Sequence, residues 1–233
     1  MTRGARRHPL ALRPPAATPD PGHQRLERDL DYERLLFFSD AVFAIAITLL
    51  IIEVRLPMLP DHATDDQVRA ALSSTLPEIF AYAVSFATIG LYWFAHWRRY
   101  REVERVNERL VGLNLVLLAL VAFIPFPTAM MGEHGDLPTV VAIYAVSLSA
   151  AGIVSSLNWL YAWRAGLVRR TITDRFARLV ALRAVSVPVV MLASLAALPF
   201  LGTAGVETSW ILIFPVQVVL TRIVARAEAA SAG

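Results

Sequence analysis

Six long apolar runs constrain this chain more than any other feature of its sequence. A helix needs about 20 apolar residues to cross the roughly 30 Å hydrocarbon core of a bilayer. Five of the runs reach that length, whereas the sixth is shorter and depends on interfacial residues at its ends. The apolar fraction, 56%, also exceeds the roughly 45–50% typical of soluble domains. We therefore predict an all-α membrane protein with six transmembrane helices. The predicted spans are residues 35–54, 76–97, 110–131, 140–163, 179–201 and 210–224.

The arginines between these runs predict how the chain is oriented. The second and fourth connecting segments, residues 98–109 and 164–178, carry five arginines each, whereas the other three carry two in total. Positively charged connecting segments are retained on the cytoplasmic side of a membrane. We therefore expect both arginine-rich segments in the cytoplasm. Because the number of spans is even, both chain termini should lie there too.

The N-terminal residues differ in composition from the rest of the chain. Residues 1–30 are rich in arginine and proline, and they lack the apolar stretch of roughly 7–15 residues that a secretory signal needs. We expect residues 1–30 to form a disordered cytoplasmic tail, because they cannot bury a core. Residues 31–233 should form one transmembrane unit of six helices.

Several classes of function find no support in the composition. The chain has no cysteine, which excludes disulfides, thiolate metal sites and cysteine nucleophiles. Its basic residues lie in short segments between apolar runs, so no binding of nucleic acid is expected. His96 is the single histidine within a predicted span, and no second ligand is spaced for it on that helix. We expect no enzyme activity, no cofactor and no resident metal ion.

The first apolar run begins with charged and polar residues. Arg34 precedes the run, and Ser39 and Asp40 lie within its first turns. A carboxylate at that depth costs roughly 3 kcal/mol or more unless a partner compensates its charge. His96, which ends the second run at a similar depth, is the candidate partner of Asp40. The alternative is that Ser39 and Asp40 cap the helix, although apolar residues begin before them.

Four residues further along the first helix recur at helical spacing. Ile45, Thr48, Leu49 and Ile52 fall on one face of the predicted helix. Thr48 is the only polar side chain between residues 41 and 52. An apolar stripe of this kind normally faces lipid or another helix, so the spacing by itself leaves those alternatives open beside a pore.

The start of the first helix resembles the signature of a known family. An arginine, three residues and then Phe-Ser-Asp at the head of an apolar helix is similar to the transmembrane protein 175 family. Its animal members are potassium channels of endosomes and lysosomes, and shorter relatives occur in bacteria and archaea. The resemblance covers residues 31 to about 225 and weakens after residue 140. The matching motifs are Arg34-x-x-x-Phe38-Ser39-Asp40, Tyr92-Trp93-x-x-His96, Asn114-Leu115 and Pro125-Phe126-Pro127-Thr128.

This resemblance implies an assembly and a role for the first helix. Animal members carry two six-helix repeats, each with a Phe-Ser-Asp motif, whereas this chain carries one motif and so resembles the prokaryotic form. It implies a homotetramer in the plasma membrane, with the first helices lining a central pore for potassium ions. Ile45 matches the hydrophobic constriction, and Thr48, Leu49 and Ile52 match the next turns that face the pore. The residues that match the packing motif and its supporting network are Arg34, Phe38, Ser39, Asp40, Trp93 and His96.

The implied channel differs from the common potassium channels. Their filter is a ring of backbone carbonyls from a Thr-Val-Gly-Tyr-Gly segment, and this sequence contains no such segment. A ring of Ile45 side chains would instead gate by dewetting, and Thr48 hydroxyls would offer some coordination. Asp61, Asp65 and Asp66 in the first outer segment would concentrate cations, unless they simply solvate a loop.

A secondary transporter coupled to an ion gradient is the alternative function. Transporters of this kind bind their substrate near mid-membrane, between inverted repeats or interrupted helices. This sequence shows no internal repeat, and Arg183 is the one clear ionisable residue besides Asp40 well inside a run. Arg183 lies near the cytoplasmic end of its helix, where snorkelling is the ordinary explanation.

Overall fold

The computed structural model describes residues 21–232, with side chains at residue 30 and from residue 32 to residue 226. Six helical segments of the described part are long and apolar enough to cross a membrane, which confirms the predicted number. These spans are Tyr32–Glu53, Leu76–Tyr100, Glu108–His134, Pro138–Arg164, Asp174–Ala196 and Leu198–Arg226. The helices are α1 (Pro21–Leu49), α2 (Asp65–Ser74), α3 (Leu76–Tyr100), α4 (Glu108–Phe123), α5 (Pro125–His134), α6 (Pro138–Arg164), α7 (Asp174–Ala196), α8 (Leu198–Ser209) and α9 (Ile213–Ala232).

The first helix begins earlier than the sequence predicts. Helix α1 starts at Pro21, so residues 21–30 are helical rather than disordered. Proline suits the first position of a helix, since its fixed φ is helical and the missing N–H would have no partner there. The predicted tail from residue 1 to residue 20 lies outside the described residues. Ser39 and Asp40 therefore fall well inside α1, and the alternative that they cap the helix is wrong.

The last two spans meet at a different place from the one predicted. The fifth span ends at Ala196 and the sixth starts at Leu198, whereas hydropathy placed these boundaries at residues 201 and 210. Uncharged residues continue through the junction, so hydropathy could not locate it. Pro199 in the first turn of α8 suits a helix start. Glu207, which falls between the predicted spans 179–201 and 210–224, consequently lies in α8.

Helix α8 is interrupted at a glycine. Gly202 has a φ of 65° and a ψ of −179°, which places it outside the helical region. A residue with a Cβ would be strained at this φ, whereas glycine adopts it freely. The sixth span therefore changes direction near its start and continues through a short 3-10 segment, Trp210–Leu212, into α9.

The segment between the first two spans contains a short helix rather than a simple loop. The Thr64 hydroxyl accepts a hydrogen bond from the Gln67 amide, and the Gln67 side chain accepts one from the Thr64 amide. This reciprocal pair is a capping box, and it fixes the start of α2. Asp65 and Asp66 lie in the first turn of α2, where a negative charge is stabilised by the helix dipole.

Helix α6 lies at the centre of the bundle. Its side chains Tyr144, Ala145 and Leu148 are fully buried. A Cβ on Gly152 would lie 2.6 Å from Cγ of Pro188 in α7 and 2.9 Å from the hydroxyl oxygen of Tyr92 in α3. Three helices therefore approach one another closely at Gly152, because this position has no side chain.

The two arginine-rich connecting segments pair with each other. Val103 and Val168 form an isolated antiparallel bridge. The amide of Glu104 donates to the carbonyl of Leu167 at 2.8 Å, and the amide of Arg169 donates to the carbonyl of Glu102 at 2.9 Å. Both segments thus lie at one end of the molecule, as expected if they occupy the same side of the membrane. Which side this end faces remains a prediction.

Candidate functional site

The span of helix α1 has one buried face and one exposed face. Leu35, Ser39, Phe43, Ala46 and Leu50 are buried against the rest of the chain. On the other face, the exposed fractions of the predicted pore residues Ile45, Leu49 and Ile52 are 58%, 42% and 59%, and Thr48 is also exposed. The predicted stripe therefore points away from the subunit, and it is open to lipid or to another protein chain.

Thr48 gives this exposed face its polar group. The Thr48 hydroxyl lies 3.0 Å from the carbonyl oxygens of both Ala44 and Ile45 and donates to this pair within its own helix. Because the hydroxyl proton is used inside the helix, the lone pairs of the oxygen remain free to accept a hydrogen bond or to face a cation. Thr48 thus offers an oxygen ligand without exposing an unpaired donor.

A buried hydrogen-bond chain holds the start of α1 to two other helices. His96 Nε2 lies 2.9 Å from Asn114 Oδ1, Asn114 Nδ2 donates to Ser39 Oγ at 2.9 Å, and Ser39 Oγ donates to the Leu35 carbonyl at 2.8 Å. An amide oxygen only accepts, so the hydrogen-bond pattern assigns the ring proton of His96 to Nε2. Helices α3, α4 and α1 are joined by donors that all point the same way along this chain.

The His96 ring is enclosed by aromatic side chains. Its centroid lies 4.2 Å from that of Tyr100, in a stacked arrangement, and 5.6 Å from that of Phe43. Only 2% of the His96 surface is exposed. The ring therefore acts as a packed member of the helix interface as well as a donor to Asn114.

Asp40 has a different partner from the one predicted. The indole Nε1 of Trp93 donates to Asp40 Oδ1 at 2.8 Å, whereas the His96 Nε2 is engaged by Asn114. The expected pair of Asp40 with His96 is therefore wrong. Adjacent residues on a helix are turned by about 100°, so Ser39 faces the interior while Asp40 faces the outer surface. Trp93 is also partly exposed, with 39% of its surface accessible, so it lies on the same surface as Asp40.

The other two residues of the motif also lie at the surface. Phe38 is 52% exposed. Arg34 is exposed, and within the described part of the chain it makes no hydrogen bond or ion pair. The structure thus divides the motif into Ser39, which anchors α1 inside the subunit, and Arg34, Phe38 and Asp40, which are presented outward.

Sequence reasoning did not assign a role to Asn114, although this residue connects His96 to Ser39. A signal was present, because Asn114 is the only asparagine in the third apolar run. Polar side chains inside membrane helices commonly bridge to a neighbouring helix. A second buried cluster behaves in the same way, since Ser85 Oγ lies 2.8 Å from both Thr128 Oγ1 and Tyr144 Oη.

The described residues contain no group of three or more histidines and carboxylates that could hold a metal ion. These residues form a bundle of six spans. The first helix carries an outward, mostly apolar face, and a buried hydrogen-bond chain holds the start of its span to α3 and α4. This arrangement defines a multi-pass helical membrane protein with an exposed helix face.

Comparison with known proteins assigns the chain to a family. The family described as "Endosomal/lysosomal potassium channel TMEM175" matches residues 34–125. A potassium channel of Chamaesiphon minutus is 37% identical over 145 residues, which cover 61% of this chain and 71% of that protein. A potassium channel of Streptomyces collinus is 37% identical over 137 residues, which cover 57% of this chain and 65% of that protein. The chain belongs to the TMEM175 family, and the resemblance drawn from Arg34, Phe38, Ser39 and Asp40 is confirmed.

A solved structure supports the same assignment. The crystal structure of a lysosomal potassium-selective channel TMEM175 homolog from Chamaesiphon minutus matches with a TM-score of 0.66 and 28% sequence identity. The match covers 82% of this chain and 98% of that chain. These relatives are named as channels, not as enzymes or transporters.

Proposed function

We propose that this chain is the subunit of a potassium-permeable channel in the plasma membrane. Four copies assemble so that the exposed faces of their α1 helices surround a central pore. The observation that carries the proposal is the outward face of α1, where Ile45, Thr48, Leu49 and Ile52 are all exposed. Membership of a family whose relatives are named potassium channels supports potassium as the permeant ion.

In this proposal the ring of four Ile45 side chains forms the narrowest part of the pore. An apolar ring excludes water when it is narrow, so a small change in its diameter opens or closes the path for ions. The Thr48 oxygen lies about one helical turn further along the same face, where it can replace part of the hydration shell of a cation. No carbonyl filter of the Thr-Val-Gly-Tyr-Gly type takes part, since the sequence contains no such segment.

The arginine-rich end of the bundle is proposed to face the cytoplasm. Residues 98–109 and 164–178 lie together at that end, and retention of positive segments in the cytoplasm gives the orientation. The Asp40–Trp93 pair lies toward the same end, at the surface that a neighbouring subunit would cover. Both chain termini then lie in the cytoplasm.

A recording from purified protein in a planar bilayer tests this function. Potassium chloride bathes one side and sodium chloride the other, at equal concentration and equal pH, so that neither chloride nor protons carry a net driving force. We expect stepwise currents that reverse at a voltage displaced toward the potassium equilibrium potential. Flux without discrete current steps would favour the alternative, a transporter. Currents that reverse at zero voltage would contradict selectivity for potassium.

A further inference from the structure

A pocket opens between helices α3, α6, α7 and α9 at the arginine-rich end of the bundle. The space in it that the centres of water molecules can occupy is about 60 Å³, and the pocket is partly open to solvent. Three arginines line it, Arg98, Arg99 and Arg183, whereas Glu102 is the single carboxylate among the described residues of its lining. The pocket is therefore positively charged, and its lining includes none of the proposed pore residues of α1.

Arg99 supplies a fixed and buried cation to this pocket. Its Nε donates to the Ala95 carbonyl at 2.9 Å, and its two terminal nitrogens donate to the carbonyl and the hydroxyl oxygen of Ser155. Only 7% of the Arg99 surface is exposed. Among the described residues no carboxylate forms an ion pair with it. A buried cation without a counter-ion is costly, which favours the binding of an anion beside it.

Arg183 supplies a second oriented cation from α7. Its Nε donates to Oε1 of Gln217 at 3.1 Å, and Gln217 Nε2 in turn donates to Ser186 Oγ at 2.9 Å. The terminal nitrogens of Arg183 have no partner within the described part of the chain. Gln217 thus positions the guanidinium while leaving its fork of donors available, and such a fork fits the oxygens of a phosphate.

The remaining walls indicate what carries the anion. Most of the other lining side chains are apolar, including Leu91, Phe176, Val180, Ala184 and Val224. Basic pockets between membrane helices on the cytoplasmic side suit the headgroups of anionic lipids. We propose that this pocket binds a phosphate group through Arg99 and Arg183, and the apolar walls favour a phosphate carried by a phospholipid. This inference does not depend on the proposed potassium conduction.

Binding to purified full-length protein tests the site. The protein is delipidated in micelles of a non-ionic detergent without phosphate, in a buffer free of phosphate, and two additions are compared, phosphatidylglycerol in the micelles and millimolar inorganic phosphate in the solution. Bound lipid is counted by native mass spectrometry, and thermal unfolding reports stabilisation. We expect one or the other to bind and to raise the unfolding temperature. Protection by phosphatidylglycerol alone identifies a lipid ligand, and protection by phosphate alone identifies a soluble one. No effect of either overturns the proposal.

Three variants of α7 test whether Arg183 itself is responsible for the binding. Arg183→Gln should weaken binding about tenfold or more, the loss expected for one charge-assisted hydrogen bond. Arg178→Gln is the matched control, because Arg178 is an exposed arginine of the same helix that donates to its own helix, to the Asp174 carbonyl. Arg183→Lys keeps the charge but loses the fork, so it should bind with intermediate affinity even if Arg183→Gln does not fold. Equal loss in the Arg178 and Arg183 variants would overturn the assignment.

Discussion

The indole Nε1 of Trp93 donates a hydrogen bond to Oδ1 of Asp40 at 2.8 Å, and both side chains stay exposed at the surface of the subunit. The neighbouring Ser39 is fully buried and belongs to the chain that runs through Asn114 to His96. Two adjacent residues of one motif therefore serve two surfaces. Ser39 fixes α1 against α4, and Asp40 is held at the surface that a neighbouring copy would cover in the proposed tetramer.

Replacing Trp93 with phenylalanine tests the outward pair. An aromatic ring is kept but the N–H donor is lost, so the Asp40 side chain loses the hydrogen bond that holds it. We expect Trp93→Phe to lower the fraction of tetramer while the thermal stability of the subunit changes little, because both partners are exposed. Size-exclusion chromatography with light scattering measures the tetramer fraction.

Trp97→Phe is the matched control for that variant, because Trp97 lies on the same helix and is 40% exposed. Its ring packs beside Phe94 and Arg101, and phenylalanine retains most of such stacking. We expect the tetramer to survive in Trp97→Phe. If both variants dissociate equally, the hydrogen bond to Asp40 has no special role in assembly.

Removing the amide of Asn114 tests the buried chain. Asn114→Ala leaves His96 Nε2 without its acceptor and removes the hydrogen bond that Ser39 Oγ accepts, while Ser39 still donates to the Leu35 carbonyl. Unpaired buried polar groups in a membrane bundle cost about 1–3 kcal/mol, so the free energy of unfolding should fall by that amount. Reversible unfolding in mixed micelles measures the change. Ser149→Ala is the control, since Ser149 is buried but donates only to the Ala145 carbonyl of its own helix. A loss in Asn114→Ala no greater than in the control would contradict the role given to the chain.

The close approach of helices at Gly152 gives a packing prediction. The added methyl of Gly152→Ala would lie 2.6 Å from the rigid ring of Pro188. We expect α6 and α7 to separate, with a loss of stability of about 1–3 kcal/mol. Gly90→Ala is the control, because nothing lies within 4 Å of a Cβ at that position of α3. A lower unfolding temperature for Gly90→Ala than for Gly152→Ala would contradict this account of the packing.

Much of the fold follows from hydropathy and charge, and the exceptions have physical causes. The number of spans was predicted because five of the six runs are about as long as a bilayer is thick, and the shorter sixth run has interfacial residues at its ends. The pairing of segments 98–109 and 164–178 at one end agrees with their shared excess of arginine. The junction at Ala197 was missed because no charged residue marks it. It is set instead by Pro199 and by the positive φ of Gly202, which are local backbone effects.

The candidate site was predicted at the level of the helix but not at the level of its contacts. Helical spacing placed Ile45 and Ile52 on one face, and both are exposed on that face. Depth alone could not choose a partner for Asp40, because Trp93 and His96 lie within one turn of each other on α3. Trp93 and His96 point in different directions from the axis of α3. The rotation of α1 and α3 within the bundle decides which of the two meets Asp40, and sequence alone does not give that rotation.

The most direct test of the account compares two isoleucines of the first span in single-channel recordings. Ile45 and Ile51 are exposed to similar extents, 58% and 53%, but they point to different faces of the first span. We expect Ile45→Ala to raise the potassium conductance of the reconstituted channel, because a shorter side chain widens the apolar ring, and we expect Ile51→Ala to leave it unchanged. Conductance that is unchanged in Ile45→Ala, or raised equally in both variants, would contradict the claim that this face of the first helix forms the constriction.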